Sequence, residues 1–390
     1  MLMENMKNGP SPRDIFSPFL RLGLTAFGGP AMVAYIKDMS VNRFKWLNEE
    51  TFGDGVALCQ SIPGATAMQT AAYVGLRAGG VRGALASFTG FALPAFVLML
   101  ILSSLYGRYH AVPWVVSIFN GLQVVVVAIV ANATYAFGRA TFKSYREISL
   151  AVMASVLFAA GISPFLVILG AALAGMVFFG DRGLAPAVAR ERKNKGHNFV
   201  HLLAILLGPL TGLLALYLVD AKLFTLAALM MKIDVFAFGG GFASLPLMLH
   251  EIVTVKGWID GKTFMDGIAL GQITPGPIVI TSTFVGYMSY GLSGAIVATI
   301  AIFMPSFLLV VAVAPIFDRL KNSAYFSAAM KGVLASFVGL LFFVTAKFAL
   351  SVPWEMGKAV LAVAAFAALF KKVDILYVVL ISIVISLFVF

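Results

Sequence analysis

A chain of 390 residues that is 61% hydrophobic and only 12% charged leaves too little polar surface to cover a soluble globular protein. It reads as an all-α polytopic membrane protein lying in a lipid bilayer. The net charge of +11 does not point to nucleic acid, because the basic residues sit mostly in short loops between apolar runs, as positive-inside bias places them. The polar start, Met1 to Asp14, lacks a signal-peptide layout, so no cleaved presequence is expected. Apolar runs follow near 16–36, 51–76, 81–106, 113–136, 148–161 and 164–180, then a basic stretch from Asp181 to Asn198. Further runs lie near 199–219, 223–249, 263–286, 293–315, 324–346, 358–370 and 375–390. At roughly 20 residues per crossing, this makes about thirteen spans.

Two of these runs are interrupted in the same way. Gln60-Ser61-Ile62-Pro63-Gly64 breaks one, and Gln272-Ile273-Thr274-Pro275-Gly276-Pro277 breaks another 212 positions later. A proline-glycine break frees backbone groups that hydrocarbon cannot satisfy, so it needs surrounding protein or a water-filled cavity. Matched breaks are the pattern expected of a secondary transporter whose site is built from discontinuous helices.

The breaks belong to a larger duplication. Phe27-Gly28-Gly29 matches Phe238-Gly239-Gly240, Trp46 matches Trp258, Asp54 matches Asp266, Val74-Gly75 matches Val285-Gly286, Pro94 matches Pro305 and Gly121 matches Gly332. The offset stays at 211 or 212, which an internal repeat explains and chance does not. Residues 199–219 have no counterpart. The expected organisation is therefore an N-terminal transporter repeat at 1–180, a basic cytoplasmic loop with a connecting helix at 181–222, and a C-terminal repeat at 223–390. Six spans plus one connecting span invert the second half. Arg77, Arg82, Arg139, Lys143 and Arg146 in the first half, against Arg319, Lys321, Lys371 and Lys372 in the second, fit that inversion with the N-terminus inside. The loop with Lys37, Arg43 and Lys45 does not fit it. Making both broken segments re-entrant places that loop correctly and misplaces the second-half cations.

The order Phe27-Gly28-Gly29-Pro30, Gln60…Pro63-Gly64 and Tyr73-Val74-Gly75, repeated as Phe238-Gly239-Gly240-Gly241, Gln272…Pro275-Gly276-Pro277 and Phe284-Val285-Gly286, resembles the chromate ion transporter family over almost the whole chain. The resemblance implies a long, two-domain protein of the bacterial or archaeal inner membrane that exports chromate and confers resistance to it. It also implies sulfate as a similar oxyanion and coupling to the proton gradient. Gly64-Ala65 departs from the doubled pattern, since the second half has Gly276-Pro277, so the half-sites are not equivalent.

An oxyanion also suits the residues themselves. Helices restarting after the breaks expose N–H groups near Ala65, Thr66 and Ala67 and near Ile278 to Ile280, and helix N-termini bind anions through such donors. Gln60, Gln272, Thr66, Thr274, Thr281 and Ser282 add neutral donors, while Gly28, Gly29, Gly239 and Gly240 allow close backbone approach beside Phe27 and Phe238. The bland alternative is that Pro63, Gly64, Pro275, Gly276 and Pro277 only bend closely packed helices. Arg21 and Lys232, at equivalent places, would attract a dianion, the alternative for Arg21 being to snorkel to the surface, while Lys232 falls nearer the middle of its run. Lys232 and Asp234 do not share a helix face, and each needs its own partner. Asp54 and Asp266, six residues before the glutamines, are the candidates for proton coupling, or simply acids that suit a first helical turn.

Other signals are few. The single cysteine, Cys59, excludes an intrachain disulfide, and His110, His197 and His201 show no metal-ligand spacing, so no metal or cofactor is expected. No phosphate-binding loop, His-Glu-x-x-His or Gly-x-Ser-x-Gly element occurs, which argues against ATP drive and against an enzyme. Gly79-xxx-Gly83 has helix-packing spacing. An anion channel and a transporter for sulfate or another oxyanion are the alternative functions. A homodimer is compatible with the sequence.

Overall fold

Lipid leaves a backbone no partner but itself, and in the computed structural model every element among the described residues is helical. The structure describes residues 10–27, 29–180, 199–315, 317 and 323–390, with 29–31 and 199–206 described by backbone alone. Gly28, the basic stretch from Asp181 to Asn198, Arg319 and Lys321 lie outside them.

The first repeat opens with α1 (Pro12–Thr25), started by a capping box in which Ser11 and Asp14 satisfy each other's backbone N–H groups. Next come α2 (Gly29–Lys37), a π-helical turn (Asp38–Arg43), and α3 (Glu49–Ser61), whose Asn48 cap accepts the Thr51 N–H at 2.8 Å. After the break come α4 (Thr66–Tyr109), α5 (Pro113–Thr141), α6 (Tyr145–Ala159) and α7 (Pro164–Phe179). The connecting helix is α8 (Phe199–Val219).

The second repeat restates this sequence of elements: α9 (Ala221–Phe236), a short α10 (Ser244–Met248) running into a π-helical turn (Leu249–Val255), then α11 (Gly261–Ile273), α12 (Thr281–Val313), α13 (Ala324–Ser351), α14 (Met356–Phe370) and α15 (Ile375–Val389). Even the rare features recur. The π turns match, and a kink in α4 at Gly79 (φ −140°) and Gly80 (φ +64°) returns in α12 at Tyr290 (φ −142°) and Gly291 (φ +63°). The duplication thus extends to backbone geometry.

Among the described residues, four helical segments are long and apolar enough to cross a membrane, at Thr66–Tyr109, Pro113–Thr141, Ile278–Val313 and Ala324–Ser351, and five shorter apolar helices accompany them. The chain is a multi-pass membrane protein; the expected thirteen spans are not matched one for one. The run at 51–76, counted from sequence as one interrupted span with re-entry left open, is a hairpin. A Cβ on Gly55 of α3 would strike the Tyr73 ring of α4, so the two limbs fold back on each other about the break. At 13 residues, α3 reaches about 20 Å, short of the roughly 30 Å hydrocarbon thickness. The kink in α4 is a second reversal, where Gly75 packs on the Gly83 backbone and the Ser87 hydroxyl. Gly79 therefore lies at a turn, and the close approach falls to Gly75 and Gly83.

The chain divides into two compact units. Unit 1 contains residues 1–101, 191–235 and 274–317, and unit 2 contains 102–190, 236–273 and 318–390. In unit 2, α13 packs on α6 and α7 while α5 packs on α14 and α15. Small residues let these helices approach: Gly332 meets Gly175, and the equivalent Gly121 meets Ser386. Between α5 and α13, Thr134 and its own repeat counterpart Thr345 touch through their hydroxyls at 3.2 Å. In unit 2, α5 and α13 thus meet at equivalent positions of the two repeats.

Candidate functional site

Unit 1 holds the Pro-Gly tips of both breaks in its interior. Pro63, Gly64 and Ala65 are buried, as are Thr274 to Pro277. Gly64 has φ +119° and Gly276 has φ +106°, conformations that exclude an ordinary side chain at low cost. Their neighbours are related by the duplication. A Cβ on Gly64 would fall on the Ser306 hydroxyl, and one on Gly276 would come within 2.9 Å of the Ala95 methyl; Ser306 and Ala95 follow the matched prolines 305 and 94. Each break thus packs against the other repeat. The Gly276 N–H donates to the Ala26 carbonyl at 3.0 Å, tying the second break to the end of α1 beside Phe27.

A buried polar chain runs through the first break. The Ala65 N–H, at the restart of the helix, donates to Ser306 Oγ at 3.1 Å. Ser306 in turn donates its hydroxyl (2.7 Å) and its backbone N–H (2.8 Å) to Asp234 Oδ2. The Gln69 amide nitrogen donates to the Pro63 carbonyl, covering an acceptor that the break exposes. Asp234 and Gln69 are both 0% exposed. Asp234 Oδ1, Gln69 Oε1 and the Ser282 hydroxyl in the first turn of α12 are buried with no hydrogen-bond partner among the described residues.

Unit 2 holds a second buried carboxylate with a different environment. Asp266 of α11, 2% exposed, accepts from Tyr106 Oη at 2.8 Å on one oxygen and from Gln123 Nε2 at 2.7 Å on the other. Both oxygens are satisfied. In the repeat alignment Tyr106 and Gln123 correspond to Phe317 and Leu334, so the half-buried Asp54 has no such pair built for it by the duplication. The two aspartates that the sequence makes equivalent are chemically distinct.

The remaining sequence-derived residues are placed as follows. Gln60 is exposed, whereas Gln272 is half-buried and its amide nitrogen has no partner. Thr66 and Phe27 are half-buried, and Gly29 begins α2. In unit 2, Phe238 and Gly239 are half-buried and Gly240 is buried, both glycines at positive φ. Arg21 and Lys232 are exposed. The loop that did not fit the topology has two of its cations paired, Lys37 with Glu49 at 2.9 Å and Arg43 with Asp38 at 2.7 Å. Hydrogen bonds from Asn42 and Arg43 hold the exposed Asp38 carboxyl below its usual range.

Sequence reasoning did not find Ser306, Gln69, Tyr106 or Gln123. One signal for Ser306 was available: the duplication sets it against Ala95, as it sets Asp234 against Gly23, and a polar residue in only one copy marks a site that has diverged. The groove of 340 Å³ between α8, α9 and α12, lined by Pro209, Leu213, Met231 and Ile300 among others, is apolar and offers no anion donor. Among the described residues, no cluster of His, Cys, Asp or Glu could hold a metal ion.

A family model described as chromate transporter matches residues 13–176 and again 224–387. The chain belongs to the chromate transporter family. Its relatives include an uncharacterized transporter of Methanocaldococcus jannaschii, 45% identical over 97% of this chain and 95% of that protein. A probable chromate transport protein of Synechococcus elongatus is 30% identical over 85% of this chain and 83% of its own length. The chromate transport protein of Cupriavidus metallidurans is 30% identical over 84% and 80%. No solved structure matches. The two family matches coincide with the two sets of helices, α1 to α7 and α9 to α15, so each repeat is one family unit.

Proposed function

We propose that this protein is a secondary transporter that exports chromate across the cytoplasmic membrane, coupled to the proton gradient, and so confers chromate resistance. The observation that carries the reading is the family match over both repeats, with two relatives named for chromate transport that align over four-fifths or more of their length. The geometry supplies the physics. A Pro-Gly hairpin tip buried inside a membrane protein has polar backbone that only protein or a solute can satisfy. In unit 1 the restart of α12 adds the Ser282 hydroxyl, a buried donor without a partner among the described residues, suited to a tetrahedral oxyanion.

In this reading Ala65, Thr66 and Thr274 to Pro277 of unit 1 bind the anion, with Gln60 as a neutral donor and the glycines 28 and 29 allowing close approach; in unit 2 the sequence offers Gln272 as a neutral donor and the glycines 239 and 240 for close approach. Exposed Arg21 and Lys232 attract the dianion from a distance. Asp54 and Asp266 are the carboxylates the sequence offers for coupling. The repeats are inverted, related by a two-fold pseudo-axis that would pass near the contact of Thr134 with Thr345, and are joined by the loop and helix of 181–222, and the protein assembles as a homodimer. Sulfate competes because it shares shape and charge.

The test is radiolabelled chromate flux in proteoliposomes, with and without an imposed pH gradient and with excess sulfate. Saturable flux that responds to the gradient supports the reading. Flux without saturation or counterflow means an anion channel, and no chromate flux from folded protein refutes the substrate.

A further inference from the structure

The cluster at the first break contains two acceptor oxygens and, among the described residues, no donor for either. Asp234 Oδ2 is fully used by Ser306, but Oδ1 is buried without a partner, and so is Gln69 Oε1. Both residues gather on one glycine: a Cβ on Gly64 would meet Gln69 Nε2 and the Ser306 hydroxyl that binds Asp234. The amide orientation of Gln69 is fixed by its nitrogen, which donates to the Pro63 carbonyl. What the cluster lacks is a proton.

We propose that Asp234 is a proton-binding site of the transport cycle, and that Ser306 passes its charge state to the backbone of the first break. This rests on the transporter reading above. With a proton on Oδ1 the acid is neutral, and Oδ2 keeps both donors from Ser306. Without it, a bare carboxylate oxygen stands in a dry interior, which is costly until water or backbone donors reach it. Ser306 has one hydroxyl proton, given to Asp234, and uses a lone pair for the Ala65 N–H. A change at Asp234 therefore reaches the first N–H of the restarting helix directly. Protonation also removes the like charge that an oxyanion at Ala65 would meet.

Asp54 and Asp266 differ from it: the first is half-buried, and the second has donors on both oxygens. The other titratable groups on the elements of unit 1 that carry this cluster are Lys222 and the exposed Lys232 on α9, Tyr287 and Tyr290 on α12, Tyr73, Arg77 and Arg82 on α4, and Glu49, Glu50 and Cys59 beside Asp54 on α3. The described partner of the Asp234 carboxyl is Ser306.

The test needs no substrate. The full-length protein in liposomes is treated with a hydrophobic carbodiimide, which attacks protonated buried carboxyls, and the modified residues are mapped by mass spectrometry across pH. Asp234 should be labelled, with labelling falling about tenfold per pH unit above its midpoint. Ser306→Ala removes a donor that favours the anion, so its labelling should persist to higher pH, a shift that a purely structural role would not give. Absent or pH-independent labelling of Asp234 overturns the proposal. In chromate flux, Asp234→Asn should flatten the pH profile, while substrate protonation is common to variant and wild type; an unchanged profile also overturns it. Wild-type protein that labels as expected but moves no chromate upholds the proton site and defeats the function proposed above.

Discussion

Placing a methyl group on Gly64 is the most direct test of how the first break is built. At φ +119° an L-residue is strained by about 1–3 kcal/mol. The new Cβ would also land on the Ser306 hydroxyl and come within 2.7 Å of the Gln69 amide nitrogen. Neither neighbour can yield freely, because Ser306 is held by Asp234 and Ala65, and Gln69 by the Pro63 carbonyl. Displacing Ser306 leaves the buried Ala65 N–H without an acceptor, a further loss of about 1–3 kcal/mol. Gly64→Ala should therefore lose about 2–6 kcal/mol, a large share of a total stability of roughly 5–15 kcal/mol. Gly276→Ala has similar backbone strain at φ +106° but meets only the Ala95 methyl at 2.9 Å, so its loss should be smaller. Gly53→Ala, at an exposed position of α3 with nothing within 4 Å, should be neutral or gain up to about 1 kcal/mol. Equilibrium unfolding of the three variants in mixed micelles, followed by tryptophan fluorescence, gives the order. A Gly64→Ala protein as stable as Gly276→Ala would refute the reasoning.

The other predictions concern groups that are satisfied in one place and bare in another. Tyr106→Phe and Gln123→Leu each strip one donor from buried Asp266 and should each lower stability by about 1.5–3 kcal/mol in the same unfolding assay. Ser282→Ala removes a buried hydroxyl that has no protein partner, so the substrate-free protein should be no less stable, while chromate half-saturation in proteoliposomes rises at least about threefold. Gln272→Ala should reduce chromate uptake at least about tenfold, the value of one hydrogen bond to an anion, whereas Gln60→Ala, at an exposed position, should reduce it less. Equal losses in the two would show that exposure does not separate the glutamines.

The duplication was legible because its markers are residues that dictate backbone: Pro63 and Pro275, Gly64 and Gly276, Pro94 and Pro305 recur at a fixed offset whatever surrounds them. The helical class followed from composition alone. The fold-back at the first break was not legible, since a Pro-Gly interruption allows a chain either to continue or to reverse. The decision lies in the contact of Gly55 with Tyr73, which no local pattern announces. Gly79 and Gly83 likewise looked like a packing pair, and the turn at Gly80 gives Gly83 to Gly75 instead. At the site, Asp234 was visible as an unpaired acid within a span, but its partner is 72 residues away and stands where the first repeat has alanine. Tyr106 and Gln123 were hidden for the same reason, lying 160 and 143 residues from Asp266.

The hydroxyl contact between Thr134 and Thr345 carries a consequence about ancestry and about freedom to change. In an unduplicated protein the same contact would be a residue touching itself across a dimer axis, so every substitution there would act twice and every site would come as an identical pair. Fusing the copies into one chain lifts that constraint. One copy can keep glycine and alanine at positions 23 and 95 while the other acquires aspartate and serine at 234 and 306, giving the fused protein a single acid where a symmetric dimer would have to carry two like charges or none.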